Sequence, residues 1–215
     1  MLNCENFKEL ENALHPYGIT ITNKVKQLHF KSVFAVINGI VLSIDMFPQL
    51  KGHIKKIDTW HNNNWFANET YDGTVYINYN RFNKIKPVKE KKLNSFINGK
   101  WYHPANMSFK GLGAHESGHI LVKIYIENHY SDKTRDYQLH AWANSSAAKY
   151  ILDTVAKKYD VKLYNLQKQM CRYAQTNASE CIAECVCDFV TNGYNACELS
   201  QLVVNFFQED VTNED

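Results

Sequence analysis

The sequence has no membrane-length apolar run, no surplus of one charge and no secretory start. Its longest apolar stretch, Val33 to Ile44, is interrupted by Asn38 and Ser43. A bilayer span needs roughly 20 apolar residues. The stretch therefore reads as a buried helix, and no membrane partner is expected. Lys and Arg number 24 against 22 Asp and Glu, a net charge of +2. Nucleic-acid binding calls for a concentrated basic face, which this balance does not supply, so no nucleic-acid partner is expected. The opening Met1-Leu2-Asn3-Cys4-Glu5-Asn6 is mixed and acidic, whereas a signal peptide begins basic and turns apolar. The expectation is a cytoplasmic protein. Oligomeric state cannot be read from such features.

Cysteine usage fits that compartment. Of Cys4, Cys171, Cys181, Cys185, Cys187 and Cys197, five crowd the last third of the chain. Disulfide frameworks belong to small secreted chains. Reduced thiols are expected, with Cys181, Cys185 and Cys187 packed along one helix. Their spacing also suits a tetrahedral metal site poorly. Hydrophobic residues make up 45% and aromatics 13% of 215 residues, which rules out disorder and suffices for one domain with its own core.

The apolar spacing divides the chain in two. Phe7, Leu10 and Leu14 fall at helical intervals, and Pro16-Tyr17-Gly18 stops that helix. Val33, Val36, Ile37, Ile40, Val41 and Ile44 predict a core helix that ends at Phe47-Pro48, with a strand as the alternative reading of the segment. Trp65–Thr70 and Thr74–Tyr79, separated by Tyr71-Asp72-Gly73, predict a β-hairpin with Val75, Ile77 and Tyr79 on one face. Residues 81–107 read as a solvated loop carrying Lys84, Lys86, Lys89, Lys91 and Lys92. From Ser108 onward the pattern is helical. One helix carries Leu112, His115, His119, Val122 and Ile126, and a second carries Ala148, Ile151, Leu152, Val155 and Tyr159. A third segment holds Leu163, Leu166, Met170 and Tyr173. A fourth helix runs from Asn177 to Asn192-Gly193, and a last one opens with an Asn195–Glu198 capping box. The fold class is α+β: a small mixed sheet with one long helix to residue 128, then an all-helical lobe over 129–215.

Chemistry concentrates in His115-Glu116-Ser117-Gly118-His119. Residues four apart share a helix face, so both imidazoles can reach one ion, and zinc accepts neutral imidazole. Glu116, beside the first His, reaches a metal-bound water as general base and not as ligand. Chance composition gives about 0.02 such patterns in a chain of this make-up. Gly118 costs about 1 kcal/mol relative to Ala inside a helix; a close backbone neighbour would offset it.

A catalytic zinc site takes a third protein ligand and keeps one position open. Six residues after His119 stands Tyr125, which excludes the pattern that places a third His there. The candidates are carboxylates, or His129 and His140. Glu180 and Glu184 are the best, four apart on a largely apolar helix. One of them would ligate, and the other would accept the free ring N–H of a ligand His. Asn177 to Glu180 is also a possible capping box.

A His-Glu-x-x-His helix followed by Glu180-Cys181-Ile182-Ala183-Glu184 resembles the gluzincin metallopeptidases. More narrowly it resembles the group formed by the anthrax lethal factor catalytic domain, the Pro-Pro endopeptidases and phage-encoded relatives. The resemblance implies a zincin-like fold and a zinc endopeptidase acting on peptide or protein substrates. It assigns zinc to His115, His119 and Glu180, the base to Glu116, and hydrogen bonding of a ligand to Glu184. Tyr173, seven residues before Glu180, becomes the transition-state donor, with Tyr164 and Tyr159 as rivals. A phage or mobile-element origin is also implied. Competing readings are a protein that keeps zinc for folding alone, a zinc hydrolase of a non-peptide amide, and a nucleic-acid-associated protein that uses the lysine cluster.

Overall fold

A computed structural model describes residues 2–61, 66–85, 87 and 108–212. The described part is α+β: a four-stranded mixed sheet near the N-terminus, followed by a mainly helical C-terminal part. Helix α1 (Phe7–Leu14) is capped by Asn6, whose side chain accepts the Glu9 N–H at 3.0 Å, and Gly18 ends the following turn at φ 71°. Strands β1 (Thr20–Ile21), β2 (Lys56–Trp60), β3 (Ala67–Glu69) and β4 (Thr74–Asn78) lie in the order β1-β2-β4-β3. The first three in that order are parallel, and β3 pairs antiparallel with β4 at the edge. The predicted hairpin is therefore present. Its turn is held by Asp72, whose carboxylate accepts the Thr70 hydroxyl at 2.6 Å and the Thr74 N–H at 3.0 Å. Tyr79 leaves the sheet: Asn78 caps a short helix α3 (Tyr79–Phe82) and ends the strand one residue early. Trp65, Lys86, Lys89, Lys91 and Lys92 lie outside the described residues; Lys84 is exposed.

Helix α2 (Phe30–Met46) buries all six apolar positions expected of it. Against it lies α4 (Phe109–His129), capped by the Ser108 hydroxyl on the Gly111 N–H at 3.0 Å. From Gly111 to Ile126 every residue of α4 is buried. The two helices approach so closely that a Cβ added at Gly113 would meet the Val36 carbonyl oxygen at 1.9 Å, and one at Gly39 the Lys110 oxygen at 1.9 Å. Helix α5 (Arg135–Ala143), which the apolar spacing did not signal, precedes α6 (Ser146–Lys158) and α7 (Leu163–Gln169). The chain then breaks at Met170, and Tyr173 sits in a separate 3-10 turn, Tyr173–Gln175. Helix α8 (Ala178–Asn192) packs on the other side of α4, and α9 (Glu198–Thr212) on α8. One continuous apolar core runs from Leu10 to Phe207.

The start of α9 differs from expectation. Asn195 lies in a 3-10 turn and does not cap it. The buried Asp188 carboxylate accepts the Cys197 N–H at 2.9 Å, the Ser200 hydroxyl at 2.7 Å and the Asn192 amide at 2.8 Å. A side chain from α8 thus replaces a local capping residue. Among the described residues no helix is long and apolar enough to cross a membrane. All six cysteines are free thiols.

Candidate metal centre

The centre is built where α4 and α8 touch. Gly118, between the two histidines, lies over Ala183 between the two glutamates. A Cβ at Gly118 would stand 2.6 Å from the Ala183 Cα. This is the close backbone neighbour that the glycine implied, and it brings two short motifs face to face.

His115 and His119 are both buried, and their Nε2 atoms lie 3.2 Å apart. Glu180 Oε2 is 3.1 Å from His115 Nε2 and 3.6 Å from His119 Nε2. Two donors on a tetrahedral zinc at about 2.05 Å would be separated by about 3.3 Å. The three observed separations bracket that value. Glu180 Oε2 is buried and faces these two ring nitrogens. Burying a carboxylate is costly unless its charge is compensated, and a cation held between the three atoms would compensate it. His115, His119 and Glu180 thus form a group whose ligand atoms lie within 4.8 Å of one another and can hold a metal ion.

The outer nitrogens are engaged as a metal site requires. His115 Nδ1 donates to Glu184 Oε1 at 2.9 Å, and His119 Nδ1 lies 2.8 Å from the Ser179 hydroxyl. A carboxylate that accepts from Nδ1 fixes the proton there and leaves the Nε2 lone pair for a metal. Asn177 does cap α8, its Oδ1 accepting the Glu180 N–H at 2.9 Å. The Glu180 side chain does not complete the box; it turns to the imidazoles. The capping and ligand readings of this segment therefore hold together. His115 is held well above the usual imidazole range: burial opposes the charge, and bonds to Glu180 and Glu184 outweigh it. Burial likewise opposes the charge on Glu180, yet the two histidines hold it well below the carboxylate range.

Glu116 is buried and points to Glu69, the last residue of β3, with which it shares a hydrogen bond. Burial first, and the Glu69 bond and charge second, push Glu116 well above the carboxylate range. Glu69 goes the other way. Its burial is outweighed by the field of His119, the Glu116 hydrogen bond and the field of His115. The two shifts are opposed, so Glu116 is the more basic carboxylate of the pair. Sequence reasoning missed Glu69; only its place at the end of a predicted edge strand hinted at it. Ser179 was missed as well.

A cleft open to solvent meets this centre. Glu69, His119, Trp142, Asn177, Ser179 and Glu180 are among its walls. The Trp142 indole donates to the His119 carbonyl at 3.3 Å and packs edge-on against Tyr71 of the hairpin turn. Tyr173 lies with its ring stacked on His115, centroids 5.8 Å apart. Tyr164 is exposed beneath Lys168, and the buried Tyr159 hydroxyl has no hydrogen-bond partner among the described residues. The structure does not bring His129 or His140 to the centre. His129 stacks on Tyr125 and faces Asp210 at 3.4 Å, and His140 bonds Asn144.

Comparison of the chain with protein-family models, with curated proteins and with solved structures gives no match.

Proposed function

We propose that the protein is a zinc-dependent endopeptidase of the gluzincin type, a single metallopeptidase domain acting on an extended peptide or protein segment. The observation that carries this reading is the triangle of buried His115 and His119 with half-buried Glu180, its outer nitrogens already bonded and Glu116 beside it. Two imidazoles and one carboxylate suit zinc, and three protein ligands leave one position open. A bound zinc supplies Lewis acidity and brings the pKa of a coordinated water to about 7. The chain's own groups do the rest. Glu116 takes a proton from the attacking water and passes it to the leaving amine. Tyr173, against the His115 ring, donates its hydroxyl to the oxyanion that develops on the peptide carbonyl. The outer edge of β3 pairs with an extended substrate as an added strand, which sets the scissile bond beside Glu116.

The test combines metal analysis with a peptide-library cleavage screen. Glu116→Gln should retain one zinc per chain and lose cleavage, whereas Glu180→Ala should fall well below one zinc per chain. Cleavage undiminished in Glu116→Gln would overturn the assignment of the base. Zinc bound at full occupancy with no cleavage of any library member would favour a zinc held for folding alone.

A further inference from the structure

Behind the His115 ring, the Glu184 carboxylate has a second bond. Its Oε1 accepts from His115 Nδ1 at 2.9 Å, and its Oε2 accepts from the Cys171 thiol at 3.6 Å. The sulfur itself accepts the Ala174 N–H at 3.4 Å. Ala174 belongs to the turn that presents Tyr173 to the His115 ring. One buried atom therefore touches both supports of the His115 imidazole: the carboxylate that holds its edge and the turn whose aromatic ring covers its face. Cys171 and Glu184 are both buried, so water does not replace either bond. The thiol stays protonated through the neutral range, since burial, and after it the charge of Glu184, push it up to about 12. A protonated thiol is a donor, if a weak one.

We infer that Cys171 is a positioning residue of the metal centre, aligning Glu184 on His115 and fixing the Tyr173 turn against the same ring. The inference rests on the reading of His115, His119 and Glu180 as a metal centre and is independent of peptidase activity. A rotated Glu184 carboxylate would still meet His115, but at a poorer angle, and the imidazole would lose its fixed aim at the ion. Outer partners of ligating histidines typically change metal affinity by 10–100-fold. A weak donor one bond further out should act at or below the low end of that range.

The experiment measures zinc affinity by competition with a chromophoric chelator, together with the visible absorption of the cobalt-substituted protein. Glu180→Ala serves as the baseline for zinc held by free thiols elsewhere. Cys171→Ala should weaken zinc binding by about 3–10-fold and alter the cobalt spectrum, with circular dichroism unchanged. Cys171→Ser, which retains a donor, should bring affinity back to within about twofold of wild type. A Cys171→Ala, Glu184→Gln double-mutant cycle should be non-additive, because the thiol acts through that carboxylate. Wild-type affinity in Cys171→Ala, a serine variant no better than alanine, or additive losses in the cycle would each overturn the inference. Should Cys171→Ala fail to fold, the serine variant and the Glu184→Gln pairing built on it decide the matter alone. Failure of the wild-type protein to bind zinc above the Glu180→Ala baseline would instead overturn the metal reading itself.

Discussion

Gly118→Ala separates helix stability from metal geometry, because the glycine lies where α4 and α8 approach backbone to backbone. The new Cβ would stand 2.6 Å from the Ala183 Cα, with Val186 Cβ at 3.3 Å and Ala183 Cβ at 3.4 Å. Carbon atoms settle at about 3.5–4.0 Å. The helices must therefore part by about 1 Å, since Ala183 Cα is backbone and cannot rotate away. Helix propensity favours Ala by about 1 kcal/mol, and overpacking costs about 1–3 kcal/mol. Net stability should fall by no more than about 2 kcal/mol, or roughly 4–8 °C in Tm for a chain of this size. A metal held by the proposed ligands would have no such tolerance. Its imidazoles ride on α4 and its carboxylate on α8, and a shift of about 1 Å is half of a zinc–oxygen bond. Zinc affinity should drop by at least tenfold in a protein that still folds. Chelator competition measures the affinity, and thermal unfolding of the metal-free protein measures the stability. Wild-type affinity in a folded Gly118→Ala protein would refute the view that this contact sets the ligand spacing.

Three further outcomes follow from other parts of the structure. Glu69→Gln removes a charge that, after burial, holds the Glu116 proton in place; the acid limb of a kcat/KM–pH profile should move to lower pH. An unmoved or raised limb would show that Glu69 does not act on the base. Stability should fall above about pH 9. The unfolded chain then releases the Cys171 proton while the folded chain keeps it to about 12, and Cys185 and Cys187 are raised in the same sense. Each such thiol contributes a slope of up to about 1.4 kcal/mol per pH unit, and urea midpoints that stay flat from pH 8 to 10.5 would contradict it. Asp188→Ala strips the cap from α9 and takes the carboxylate acceptor from the Cys197 N–H and the buried Ser200 hydroxyl. It should cost about 2–4 kcal/mol with little effect on zinc affinity; a loss under about 0.5 kcal/mol would mean that water replaces the carboxylate.

What could be read in the sequence was what depends on spacing along one helix. His115 and His119 four apart, Glu180 and Glu184 four apart, and a glycine tolerated inside α4 all report a shared face or a close neighbour. The helix over 33–44 and the hairpin were legible for the same reason, since each repeats with its own period. What could not be read depends on contacts between distant segments. Glu69 is one polar residue on a three-residue strand, too short to show a period, and it meets Glu116 only because β3 packs on α4. Ser179 looks like any residue of a helix first turn until His119 lies above it. Asn195 has the local chemistry of a cap, yet Asp188 reaches across from the preceding helix and accepts the Cys197 N–H and the Ser200 hydroxyl. Helix α5 buries only Ala141, so its sequence has little apolar stripe to display.

The chain travels far between its two halves of the centre. From His119 to Glu180 is 180 − 119 = 61 residues, an excursion that takes in α5, α6 and α7 before returning to within 3.6 Å. An ion held at that point closes the excursion into a ring, as a disulfide would. For a ring of this length the chain-entropy relation gives about 4 kcal/mol of relative destabilisation of the unfolded state. The six thiols, all unpaired, form no such ring. In a reducing compartment, where sulfur cross-links are lost, a ligand bridge between α4 and α8 could serve as the staple. The zinc would then hold the helical lobe to the sheet as well as serve the chemistry.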